Sequence, residues 1–422
     1  MKIDSTMKKK KFFFKQQLLV LMAVLCLASC KKDDENYLGT LEVQIALKEG
    51  LKNISIADLT ISVLNTVDNT KVEGQSDSTG NYVFLDLPAG LYNITVSETR
   101  EEANYALSGS VTGIQVKRQE VSAETLTLDA VEPNAGLVIK EVYYGGAADG
   151  YASLFKDQFI EIFNNSAEVI FADGLYIANL YGETGNASSK HPITEELDIS
   201  KYVYADFIDQ IPGDGTQFPV QPGSSIVIAL NAVNFKEGNP KEAFAVDNTG
   251  ADLERYSVDW RENQGLTGNA YFDLENPAVP NMINIYMNNG LWLFDLYGTS
   301  VVIFRQDNAF TENDIVTYVK EGTTSEVFLT KISVDTILDG AEFLENSGAA
   351  AYKRIPTTVD SGFNFLKADG GAFYSSMSMQ RKIDEVRSTR FGRLLLQDTN
   401  DSSVDFESIA SPNQRGYDGI TY

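Results

Sequence analysis

The sequence predicts an all-β chain made of two successive sandwiches. Three observations predict it. Apolar and polar residues alternate with period two in run after run, Gly, Pro, Asn and Asp punctuate those runs, and no stretch beyond residue 30 has the spacing of a long amphipathic helix. Apolar residues make up 43% and charged residues 22% of the 422, a balance that can bury a core.

The N-terminus comes first. Lys8 to Lys11, with Lys15, form a basic start; Leu18 to Leu27 is a short apolar run; Ala28 and Ser29 are small residues before Cys30. This is the pattern of a secretory signal. The apolar run is too short for a bilayer span, which takes about 20 residues. Leu27-Ala28-Ser29-Cys30 matches a bacterial lipobox, so residues 1–29 are expected to be a lipoprotein signal peptide and Cys30 the lipidated residue. Acyl chains there would anchor the protein to a membrane without a spanning helix. Residues 30–37 read as a tether. Within it Lys32, Asp33, Asp34 and Glu35 resemble the export signal of Bacteroidetes-type surface lipoproteins. That resemblance implies an outer-membrane location facing the medium.

Residues 38–131 read as a small β-sandwich. Leu41 to Leu47 and Leu59 to Leu64 alternate as half-buried strands do. Tyr82 to Leu87 is a strand that ends at Pro88-Ala89-Gly90, where proline pre-sets a turn, and Leu91 to Val96 starts the next. Val111 to Val116 and Leu126 to Val131 add two more. The Gly80-x-Tyr82-x-Phe84 run, with Leu87-Pro88-Ala89-Gly90-x-Tyr92, resembles prealbumin-like domains of the carboxypeptidase regulatory-like or Cna-B-like kind. Such a resemblance implies a spacer without chemistry.

Glu132 to Gly136 is the expected linker. Beyond it, Leu137 to Tyr144, Gln158 to Ser166 and Val169 to Ile177 follow in an order that resembles the lamin-tail immunoglobulin-like domain. Pro222-Gly223 before Ser224 to Ala229, Leu293 to Ile303, Ser378 to Arg381, and Asp398 to Phe406 with Pro412 extend the likeness over 137–412. The stretch exceeds such a domain, and the excess falls at about 181–219, 231–290 and 307–372, read as insertions that carry function. Residues 413–422 read as a C-terminal tail. The layout resembles an uncharacterised family of Bacteroidetes-type lipoproteins found beside TonB-dependent transporters, which implies such a transporter as partner.

Composition limits the chemistry. The formal net charge is −25; residues 1–29 carry six lysines and one aspartate, so the remainder stands near −30. That charge disfavours nucleic acid. Past Cys30 there is no cysteine, and His191 is the single histidine. Disulfides, thiolate sites and multi-histidine zinc sites are excluded there.

Asp398, Asn400, Asp401 and Asp405 form a candidate oxygen cage for calcium, against an Asx-rich turn. Glu141 and Glu161 form a candidate carboxylate pair, against structural glutamates. Tyr202, Tyr204 and Trp260 are the candidate contacts for a glycan or partner, against core rings. Arg381, Lys382, Arg387, Arg390 and Arg393 read as a charged edge strand. The expected function is a binding or accessory lipoprotein, not an enzyme, taking a nutrient or glycan. Adhesion or envelope structure is the alternative, and a carboxylate hydrolase the third.

Overall fold

The structure, a computed structural model, describes residues 37–100, 105–131, 136–148, 153–182, 185, 197–237, 239–266, 273–288, 294–319, 324–367 and 373–422. Cys30, Lys32, Asp33, Asp34, Glu35 and His191 lie outside them. The chain divides into two units, Met1–Pro133 and Asn134–Tyr422. Among the described residues no helix is long and apolar enough to cross a membrane.

Among the described residues the first unit holds seven strands: β1 (Leu38–Leu47), β2 (Thr60–Asn65), β3 (Lys71–Gln75), β4 (Asn81–Pro88), β5 (Gly90–Arg100), β6 (Tyr105–Val116) and β7 (Val121–Val131). They pair in the order β3-β2-β5-β6-β7-β1-β4. β1 runs parallel to β7 and antiparallel to β4. The alternation seen in the sequence becomes burial: β1 buries Leu41, Val43 and Ile45, and β2 buries Ile61 and Val63. The strand the periodicity does not announce is β3. It is an edge strand of exposed and half-buried residues, so no apolar stripe marks it. Its Gly74 lies so close beneath the Tyr82 ring that a Cβ would overlap it.

The second unit holds β8 (Leu137–Tyr143), β9 (Phe159–Asn164), β10 (Ile170–Phe171), β11 (Tyr176–Leu180), β12 (Tyr202–Gln210), β13 (Pro219–Val220), β14 (Ser225–Ala229) and β15 (Leu253–Glu254). They are followed by β16 (Ile283–Met287), β17 (Ser300–Phe304), β18 (Ile315–Val319), β19 (Glu326–Ser333), β20 (Ile337–Glu342), β21 (Ser378–Arg381) and β22 (Phe406–Ile409). One sheet runs β18-β19-β12-β11-β17-β20, with β16 also on β12; the other runs β15-β14-β9-β8-β21-β22. Ile139, Ile160, Ile162 and Ile228 from the second sheet meet Ile177, Val301, Ile303 and Ala341 from the first in one core. β8, β9 and β14 are buried on both faces, so they read as continuous apolar runs and not as alternation.

Three sequence expectations change here. The three long insertions are not only carriers of function: they supply β12, β16, β18, β19 and β20, which widen the first sheet. The Arg381 strand is not an edge, because β21 lies between β8 and β22 and its four residues are buried. The segment from residue 413 is not a free tail, because Tyr417 is buried against Val138, Phe163 and Leu396.

Candidate functional site

β8 and β9 place Glu141 directly opposite Glu161, on the sheet face turned away from the sandwich core. Both are fully buried. Two buried carboxylates in register repel unless donors surround them, and the donors come mainly from the C-terminal segment. The Asn413 N–H donates to both Glu141 oxygens at 3.0 and 3.3 Å. The Arg415 N–H donates to both Glu161 oxygens at 3.1 and 3.2 Å. Lys140 Nζ reaches Glu161 Oε1 at 2.7 Å, and Ser225 Oγ donates to the same oxygen. The Lys140 ammonium also lies over the Tyr417 ring at 4.8 Å, and the Tyr417 hydroxyl donates to Gln380 Oε1 and the Arg381 carbonyl. Burial pushes the Glu141 carboxyl up to about 7; the Asn413 N–H and Ser378 oppose that, and the Glu161 charge adds to it. The pair therefore fastens the 411–417 segment to the sheet.

That segment is one wall of a cleft of about 580 Å³. Ala410, Pro412 and Gln414 line it on one side, Lys236 and Phe244 to Asp247 on the other, with Ser376 between. The opposite wall is also pinned from beneath. Asn239 caps the 3-10 turn Pro240–Glu242 by accepting from the Lys241 N–H. Buried Glu242 accepts from the Ser153 N–H and hydroxyl. Buried Asp157 accepts from the Val246 N–H at 2.9 Å, and its own carbonyl accepts from Asn248 Nδ2. Burial pushes Asp157 up to about 7. Gln414 Nε2 donates to Asn248 Oδ1 at 2.5 Å and so ties the two walls together. Phe244 stays 55% exposed on this fixed wall.

The predicted contact residues sit elsewhere. Tyr204 is buried in a cluster with Tyr181, Tyr318 and Leu329, and Tyr202 packs on the same cluster beneath Lys331. Trp260, on the helix Val258–Asn263, packs on the main core. These rings fill an enlarged core, so Tyr204 is withdrawn as a surface contact and the other two are half-covered.

The calcium reading is corrected as well. Among the described residues no group of three or more His, Cys, Asp or Glu is placed to hold a metal ion. Arg381 takes the cation's place: it pairs with Asp339 at 2.6 Å, Asp398 at 3.2 Å and Asp405 at 3.5 Å. Asp401 caps the short helix Ser402–Asp405, and Asn400 adopts a left-handed φ of 55° in the preceding turn. Arg381, Arg387 and Arg393 are internal ties and not a surface patch: Arg387 pairs with Asp384, and Arg393 donates to the Asn165 carbonyl.

Sequence reasoning missed Phe244, Ser376 and Gln414. Tyr417 and Arg415 in an apparent tail were the available signal, since a buried aromatic and a paired arginine mark a docked segment.

Fold and cleft together define the class: an all-β protein with a sandwich unit whose loops and C-terminal segment enclose a surface cleft. A family described as "Protein of unknown function (DUF4876)" matches residues 221–413, a span that contains one cleft wall and most of the other. The chain is similar to a DUF4876 family protein from Bacteroides thetaiotaomicron VPI-5482, at 26% identity, covering 90% of this chain and 97% of that one, with a TM-score of 0.57. A putative carbohydrate binding protein from Bacteroides uniformis ATCC 8492 shares 12% identity, covering 70% of this chain and 98% of that one, with a TM-score of 0.17. That likeness is too slight to carry an argument. No curated protein matches the chain.

Proposed function

We propose that the protein is a cell-surface binding component that captures a small ligand in the cleft of its second unit. The observation that carries this reading is a cleft of about 580 Å³ whose two walls are both held by buried carboxylates. Ligand pockets commonly span about 300–1,000 Å³ and are largely pre-formed. In the same reading Cys30 carries the lipid anchor, Lys32 to Glu35 direct the chain to the outer leaflet, and the first unit is a spacer. The ligand is then handed to a TonB-dependent transporter.

Crosslinking in intact cells tests the partner. The expected outcome is recovery of an outer-membrane transporter with the wild-type chain. Cys30→Ala should release the protein from the membrane fraction. A native pull-down that yields no transporter sinks the accessory role.

A second reading, adhesion to another protein, is favoured by Ile315, Val319 and Phe328. They stand exposed on β18 and β19 at one end of the first sheet. Ligand uptake unchanged in a deletion strain that has lost surface attachment would favour it.

A further inference from the structure

We infer that the cleft takes a neutral oligosaccharide, with Phe244 and Phe373 as two stacking positions along one sugar chain; this rests on the cleft being the ligand site. Phe244 is 55% and Phe373 44% exposed, so neither ring is there to fill the core. An aromatic face suits the apolar C–H face of a pyranose ring. Phe373 is held in place by its neighbours: it stacks on Tyr297 at 5.4 Å and 12°, and meets Tyr374 at 4.1 Å.

The polar lining matches hydroxyl groups without favouring an ion. Lys236 and Asp247 bring one charge of each sign, Gln414 an amide, and Ser376 and Ser411 hydroxyls. A formal net charge of −25 over the chain opposes acidic glycans and nucleic acid.

Phe373 also lies near the cleft wall along the chain. Ser376 lies on the cleft wall three residues after Phe373, so their Cα atoms are at most ~11 Å apart. The connecting backbone is fixed in a conformation that L residues avoid: Tyr374 and Ser376 have φ of 51° and 58°. Ser376 is pinned there, its N–H donating to the Gly146 carbonyl at 2.9 Å and its Oγ accepting from the Ala148 N–H at 2.6 Å. Such outliers persist only where their surroundings impose them, and they gather at ligand clamps.

The test is calorimetric titration of the full chain with neutral gluco-, manno- and xylo-oligosaccharides, from monosaccharide to hexasaccharide. Uronic-acid oligosaccharides and a random peptide mixture serve as comparisons. At least one neutral hexasaccharide should bind, and Phe244→Ala and Phe373→Ala should each weaken it by about tenfold. Shorter sugars should feel Phe244→Ala alone. Both rings are exposed, so an unchanged melting temperature will show that the variants fold.

If only uronic chains or peptides bind, and Phe244→Ala abolishes that binding, the neutral-glycan assignment falls and the cleft stands. If a neutral glycan binds with both variants unaffected, the cleft reading falls too. No binding by any neutral glycan overturns the inference.

Discussion

Three buried groups set the behaviour of the second unit at the residue scale. Glu141 is raised by burial from 4.5 to about 7, and Asp157 from 3.8 to about 7. A carboxyl with a raised folded-state pKa favours the fold in its protonated form. Its contribution is full below the unfolded pKa and is lost as pH rises through about 7. The melting temperature of the second unit should therefore fall between about pH 4 and 7, and Glu141→Gln should flatten part of that slope. Melting curves across that range check it; an unchanged slope in the variant removes Glu141 as a source. Arg381 is the third group. It lies 1% exposed among Asp339, Asp398 and Asp405, and its NεH donates to the Ile139 carbonyl at 2.7 Å. Arg381→Met strands those carboxylates and should cost about 3–5 kcal/mol. Urea unfolding measures this, and a loss below about 1 kcal/mol would contradict the hub role.

The element that matters most is the segment 411–422. It is short and irregular, yet it covers Glu141, Glu161 and Lys140, and Arg415 binds Asp252 at 2.5 Å and the Ser225 carbonyl at 3.2 Å. Its energy comes from donors given to charges that water would otherwise have to reach. Deleting 411–422 should lower the melting temperature of the second unit by several degrees, since each kcal/mol is worth about 2–4 °C at this size. It should also remove one wall of the cleft and any ligand binding with it. Tyr417→Phe is the milder version: it deletes the hydroxyl that donates to Gln380 and the Arg381 carbonyl, at about 1 kcal/mol. A deletion variant that melts like the wild type would show that the segment is only laid on the surface.

At the scale of the whole molecule, two units with separate cores invite two transitions. Gly39→Ala tests this in the first unit, where a Cβ would overlap the Lys117 carbonyl oxygen and the Val116 side chain. The variant should lower one calorimetric transition and leave the other in place; a single shifted transition would mean that the units unfold as one. What the sequence by itself determined is the all-β class and most of the strand positions, because alternation along β1, β2 and β5 and the Pro88-Ala89-Gly90 turn are local properties of the chain. It also carried the residues of the glutamate pair, but not their purpose. Tertiary structure alone decided that the excess length widens a sheet, that Tyr204 is core, and that an arginine stands where calcium was one of two candidate readings. It also decided that residues 236–247 and 410–414, far apart in the chain, become two walls of one cleft. The reason is physical: periodicity reports which face of a strand is apolar, whereas a site is made by contacts between distant segments, and no local pattern encodes their partner.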